Sequence, residues 1–133
     1  MVVSTVICAP RHDEWLAQDS QYILAGHCCP KDAVEKAVRA AAFGKDTILR
    51  PGWLMHNYLL FTTKYHWPDF ESRHVMAVSY APSTKLGHLS PGDVGKFASA
   101  ALMNPEQFPG HKIELASENL TLEGLHGSSL LLP

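Results

Sequence analysis

The chain has 133 residues, a length that makes one domain and buries roughly two-thirds of its unfolded surface. Its 11 Lys and Arg against 13 Asp and Glu give a formal charge of −2, which supplies no basic field for nucleic acid or anionic lipid. No apolar run approaches the roughly 20 residues needed to span a bilayer, and "MVVSTVICAP" lacks the basic start of a secretory signal.

In chain order, "VVSTVIC" (2–8) is β-branched and almost continuously apolar, and it reads as a strand covered on both faces. Residues 9–29 have no clean period and read as a long loop with room for a turn of helix, a length that in compact domains tends to be functional. "PKDAVEKAVRAAAFG" then predicts an amphipathic helix with Pro30 in the first turn and Gly44 as its stop. Ala33, Val34, Ala37, Val38 and Ala41 form its buried face. "DTILRP" is a short strand closed by Pro51-Gly52, so strand, helix and strand make a βαβ crossover with parallel strands.

Trp53, Leu54, Tyr58 and Leu59 fit a short helix, which a mobile polar and aromatic segment follows. "VMAVSYAP" and "LGHL" read as short extended pieces. "SPGDVGKFASAALMN" is a second well-marked helix with Ser90 as N-cap, Pro91 first and Asp93 in the first turn. Its buried stripe is Val94, Phe97, Ala98, Ala101 and Leu102. "HKIELAS" alternates as a strand, and Thr121 with Glu123 can open a last helix that "GLHGSSLLLP" does not continue. No repeat or linker divides the chain, so residues 1–133 are expected to form a single domain.

Three cysteines, with Cys28 and Cys29 adjacent and Cys8 distant, argue for reduced thiols and a cytoplasmic setting rather than a disulfide framework. His12, His27, Cys28 and Cys29 are the densest group of metal-binding types. They have neither C-x-x-C nor H-x-x-x-H spacing, so no metal site is expected from them.

The strand "VVSTV", the helix "KDAVEKAVRAA", the corner "TILRPGWLMHNYL" and the run "GDVGKFASAALMNPEQFPGHKIELASENLT", in that order, resemble the NmrA-like branch of atypical short-chain dehydrogenases/reductases. The resemblance covers about residues 1–123. It implies an α/β fold, a partial Rossmann-like parallel sheet with flanking helices, in which the family's N-terminal strands and Gly-rich loop are missing. It also implies an NADP or NAD cofactor, bound weakly or not at all without that loop. In intact form such proteins are dinucleotide-sensing regulators or reductases of quinones and small carbonyl compounds.

By this resemblance Lys31 contacts the nicotinamide ribose, although the residue itself also reads as a solvated helix-start lysine. The catalytic Tyr of the wider superfamily, four positions earlier, is His27 here, so no catalytic residue is assigned. Ser4 and Thr5 match the hydroxyl pair near the nicotinamide, and such hydroxyls either orient a ligand amide or satisfy local backbone. Pro51, Gly52 and Trp53 match the cofactor corner, where a glycine lets backbone approach the ring. The alternative is a plain strand-to-helix turn with Trp53 in the core. Met55, His56 and Asn57 would line the substrate side. The expected partners are a dinucleotide or small molecule, with no nucleic acid and no membrane. The second reading is a non-catalytic interaction module that associates through an exposed sheet edge, as a homodimer or with a partner chain.

Overall fold

A computed structural model describes residues 1–18 and 25–127. The chain opens on β1 (Val2–Ser4), runs through a 3-10 turn at Ala9–Arg11 into α1 (His12–Gln18), and continues with α2 (Ala25–Ala40) and β2 (Thr47–Pro51). A two-residue β3 (Trp53–Leu54), a 3-10 turn at Met55–Tyr58, α3 (Leu60–His66) and α4 (Phe70–Arg73) come next. They are followed by β4 (Leu86–Leu89), α5 (Pro91–Met103), β5 (His111–Leu115), β6 (Glu118–Leu120) and a 3-10 stretch at Glu123–Gly127.

The architecture is mixed α/β. A parallel three-stranded sheet has the order β1-β2-β5, with Ser4 opposite Leu49 and Pro51 opposite Leu115. A second sheet has the order β3-β4-β6, in which β4 is parallel to β3 and antiparallel to β6. All five residues of β2 are buried, because the strand has a neighbour on each edge and a helix on each face. The period of two sorts its side chains. Leu49 joins Leu89 and Leu115 in a core that Val94 and Ala98 of α5 cover, while Arg50 points the other way and meets Glu35 of α2.

The parallel β1–α2–β2 unit and α5 follow their sequence signals. Ser90 caps α5, its Oγ accepting from the Gly92 amide at 3.3 Å, and Pro91 opens the helix with Asp93 in its first turn. The buried stripe of α5 is narrower than its spacing implies, because only Ala101 is buried, Val94 and Ala98 are half-buried, and Phe97 and Leu102 are exposed.

Several expectations are corrected. β1 is three residues long and only half-buried, shorter and more exposed than the apolar run at 2–8 implies, and it has one partner strand among the described residues. Residues 12–18 are helical rather than loop, with Asp13 and Glu14 in the first turn where their charge suits the helix dipole. The remainder of the expected loop at 19–24 lies outside the described residues. α2 begins five residues before Pro30, which sits inside the helix. Its inner face is Cys28, Asp32, Glu35 and Val38, while Ala33, Val34, Ala37 and Ala41 are exposed. Periodicity misassigned that face because the buried side is chosen by an ion pair rather than by hydrophobicity. Trp53 and Leu54 form a bridge strand instead of a helix, and "VMAVSYAP" forms no strand. The end of "GLHGSSLLLP", at 128–133, also lies outside the described residues.

Candidate functional site

In a parallel sheet the carboxyl ends of all strands lie on one edge, the usual ligand side of an α/β fold. Here that edge gathers Ser4 and Thr5 at the end of β1, Lys31 two turns into α2, and Pro51-Gly52 at the end of β2. Topology therefore places five of the six expected cofactor residues on one rim. Ser4 is exposed and Lys31 is half-buried, with no hydrogen bond or ion pair to another described residue. His27, four residues before Lys31, is also exposed.

Thr5 is engaged elsewhere. It is buried, and its hydroxyl donates to Glu35 Oε1 at 2.8 Å. That carboxylate is the hub of a network the sequence reading missed. Arg50 grips it with two bonds, Nε to Oε1 at 2.9 Å and Nη2 to Oε2 at 2.7 Å, and Arg39 Nη1 reaches Oε2 at 3.3 Å. Burial pushes the Glu35 carboxyl up, but the hydrogen bonds from Arg50 and Thr5 and the charges of Arg50 and Arg39 outweigh it and leave it below its ordinary value. The signal that could have revealed the pair is Arg50 itself: a cation inside an otherwise apolar strand needs a buried counter-ion.

At the corner, the Gly52 amide donates to the Leu115 carbonyl at 2.9 Å, and Ile7 N–H donates to Pro51 O at 3.1 Å. A Cβ on Gly52 would stand 2.4 Å from the Gly87 carbonyl oxygen. The close approach that glycine permits is made here by the backbone of β4. The Trp53 ring packs edge-on to His66 at 5.1 Å and near Trp67 and Tyr58, and its Nε1–H is buried with no hydrogen-bond partner among the described residues. Met55 is buried, Asn57 half-buried, and the exposed His56 ring meets Phe61 edge-on at 5.3 Å.

Beneath this corner the half-buried Tyr58 pairs with the buried His88. His88 Nδ1–H donates to the Leu86 carbonyl at 2.8 Å, which leaves Nε2 as the acceptor of the Tyr58 hydroxyl at 2.9 Å. Burial lowers the His88 pKa and raises that of Tyr58, so both groups are neutral and the proton stays on the phenol. Tyr58 also stacks on Trp67 at 5.3 Å, which ties the corner to α3 and β4.

A cleft of about 380 Å³ lies away from the rim, lined by Val78, Tyr80, Pro82, Leu122 and Glu123. Its largely apolar wall includes none of the residues expected to bind cofactor or substrate. No helix among the described residues is long and apolar enough to cross a membrane. No protein-family model matches the chain, and no curated protein matches it.

Proposed function

We propose that this chain is an NmrA-like protein of the NAD(P)-binding, Rossmann-like fold that carries the second half of that fold without its Gly-rich loop. In its intact form such a protein is a cytoplasmic dinucleotide-sensing regulator or an NAD(P)H-dependent reductase of quinones or small carbonyl compounds. The observation that carries the reading is the clustering of Ser4, Lys31 and the Pro51-Gly52 corner at the carboxyl edge of a parallel β1-β2-β5 sheet. Lys31 is a cation on that rim with no hydrogen bond or ion pair to another described residue, which suits a ribose or phosphate oxygen. The chain has no G-x-x-G-x-x-G, so it offers the pyrophosphate no glycine-rich cradle. Affinity is therefore expected to be weak and turnover negligible. With His27 at the position of the superfamily's proton donor, no residue is assigned to catalysis.

Titration of the purified chain with NADPH and NADH, followed by fluorescence transfer from tryptophan to nicotinamide, tests the reading. Saturable transfer that Lys31→Ala weakens several-fold is expected. Absence of transfer with both nucleotides would overturn it.

A second reading, a non-catalytic interaction module, is favoured by two other observations. β1 pairs on one side only among the described residues, and Val34 in the outward stripe of α2 is 43% exposed.

A further inference from the structure

Where the chain leaves β1 and passes the start of α2, two thiols distant in sequence meet. Cys8 heads the 3-10 turn Ala9–Arg11, and Cys28 lies in the first turn of α2, 20 positions later. All three cysteines are free, Cys28 is 0% exposed, and Cys8 and Cys29 are half-buried. The Cys28 S–H donates to the Cys8 sulfur. Successive side chains on a helix diverge by about 100°, so Cys28 turns inward to make this bond while its neighbour Cys29 turns to the outer side. A single buried cysteine is a small apolar side chain. Two sulfurs in contact across separate elements have in addition the approach that a disulfide needs.

We propose that Cys8 and Cys28 form a reversible thiol–disulfide switch, oxidised by a small-molecule disulfide of the glutathione class and reset by the corresponding thiol. Cys8 is the half-buried and reachable partner, and its thiolate attacks one sulfur of the small disulfide R–S–S–R. That S–S bond breaks, the first thiolate R–S⁻ leaves and takes up the Cys8 proton, and a mixed disulfide Cys8–S–S–R remains. The Cys28 sulfur then attacks the Cys8 sulfur, the Cys8–Cys28 bond forms, and the second R–S⁻ departs with the Cys28 proton. Two protein thiols are oxidised by two electrons, and one small disulfide is reduced to two R–SH. Burial, reinforced by the Cys8 and Cys29 sulfurs, pushes the Cys28 thiol up to about 12. Cys28 therefore stays protonated until the mixed disulfide stands beside it, which gives the first attack to Cys8.

The pair sits next to the carboxyl edge of the sheet. Ile7 N–H bonds to Pro51 O just before Cys8, and Lys31 follows Cys28 by three positions, so the bond would fasten the end of the β1 segment to the helix that carries Lys31. In a reducing compartment such a bond is transient and redox-sensing rather than structural.

The test uses the full chain, without denaturant, in glutathione buffers of rising oxidised-to-reduced ratio, followed by alkylation and tryptic mapping. Cleavage after Arg11 and Lys31 puts Cys8 on one peptide and Cys28 with Cys29 on the next. One intramolecular disulfide joining these peptides is expected, and reduced glutathione should reverse it. Cys29→Ser should form it as completely as the parent. Cys28→Ala, which keeps a small apolar side chain at the buried position, should lose it and stop at the mixed disulfide. In urea the two variants should cross-link alike, because the folded contact is what selects Cys28. The proposal is overturned if the folded parent stays reduced, stops at a mixed disulfide or cross-links only between chains. It is equally overturned if folded Cys28→Ala closes the ring as readily as Cys29→Ser, or if the preference for Cys28 persists in urea.

Discussion

Glu35 ties three elements together, and its chemistry predicts its worth. Its carboxylate is 0% exposed and receives Thr5 from the end of β1, Arg50 from near the end of β2 and Arg39 from its own helix. Removing one partner of a buried pair strands the other charge, a loss of about 3–5 kcal/mol. Glu35→Gln, measured by urea unfolding, is expected to fall in that range, and the double variant Glu35→Leu/Arg50→Met should recover much of it. The pH dependence has a definite sign. Because the folded-state pKa of Glu35 lies below its unfolded value near 4.5, its stabilisation is complete above that pH. It is lost as pH falls through the folded value. Melting temperature should therefore drop more steeply below pH 4.5 in the parent than in Glu35→Gln. The variant keeps the part of the acid loss that comes from His88, which is buried neutral and must take up a proton. A parallel decline in both proteins would remove Glu35 from this role.

Among the elements, the two sheets meet where glycine allows it. The Gly52 corner and Gly87 of β4 approach so closely that a methyl group on Gly52 would sit 2.4 Å from a backbone carbonyl oxygen, an atom that cannot move without moving its strand. A methyl on Gly87 meets the Ala116 Cβ at 2.9 Å, an atom equally fixed to its backbone but farther off than the 2.4 Å of the Gly52 clash. Gly52→Ala is thus expected to cost about 3 kcal/mol, the upper end of overpacking, and Gly87→Ala about 1 kcal/mol. Thermal unfolding of the two variants checks the order, and equal costs would contradict the backbone clash. This corner also shows what was legible in advance. Pro51-Gly52 was readable as the end of a strand, β2, β4, β5 and α5 as elements, and Ser90 as a cap, because each is encoded within a few residues. The inward face of α2 was not, since Glu35 is buried by a partner 15 residues away in Arg50. For the same reason Ser4, Lys31 and the corner could be placed on one rim by topology. The engagement of the Thr5 hydroxyl by Glu35, and the filling of the Gly52 approach by β4, needed the folded chain.

At the scale of the whole molecule, two apolar features face outward together. β1 leaves one edge unpaired among the described residues, and α2, which follows it in the crossover, turns Ala33, Val34 and Ala37 to solvent. An open parallel edge offers backbone groups, and a helical stripe of small residues offers close packing, so two routes to association must be separated. Along β1, Thr47 N–H bonds to Met1 O and Thr5 N–H to Leu49 O, which turns the amides of Val2 and Ser4 away from β2. Ser4→Pro therefore removes an outward donor without touching the β1–β2 ladder, and proline is tolerated at such an edge. Val34→Glu charges the stripe and, on an exposed helix position, should change stability by less than about 0.5 kcal/mol. If the chain works as an interaction module through its edge, sedimentation over a range of concentrations should show self-association that Ser4→Pro abolishes and Val34→Glu leaves in place. The reverse pattern would assign the contact to α2. A parent chain that stays monomeric at high concentration would remove self-pairing, leaving the carboxyl-edge rim with Lys31 as the feature that most needs a ligand.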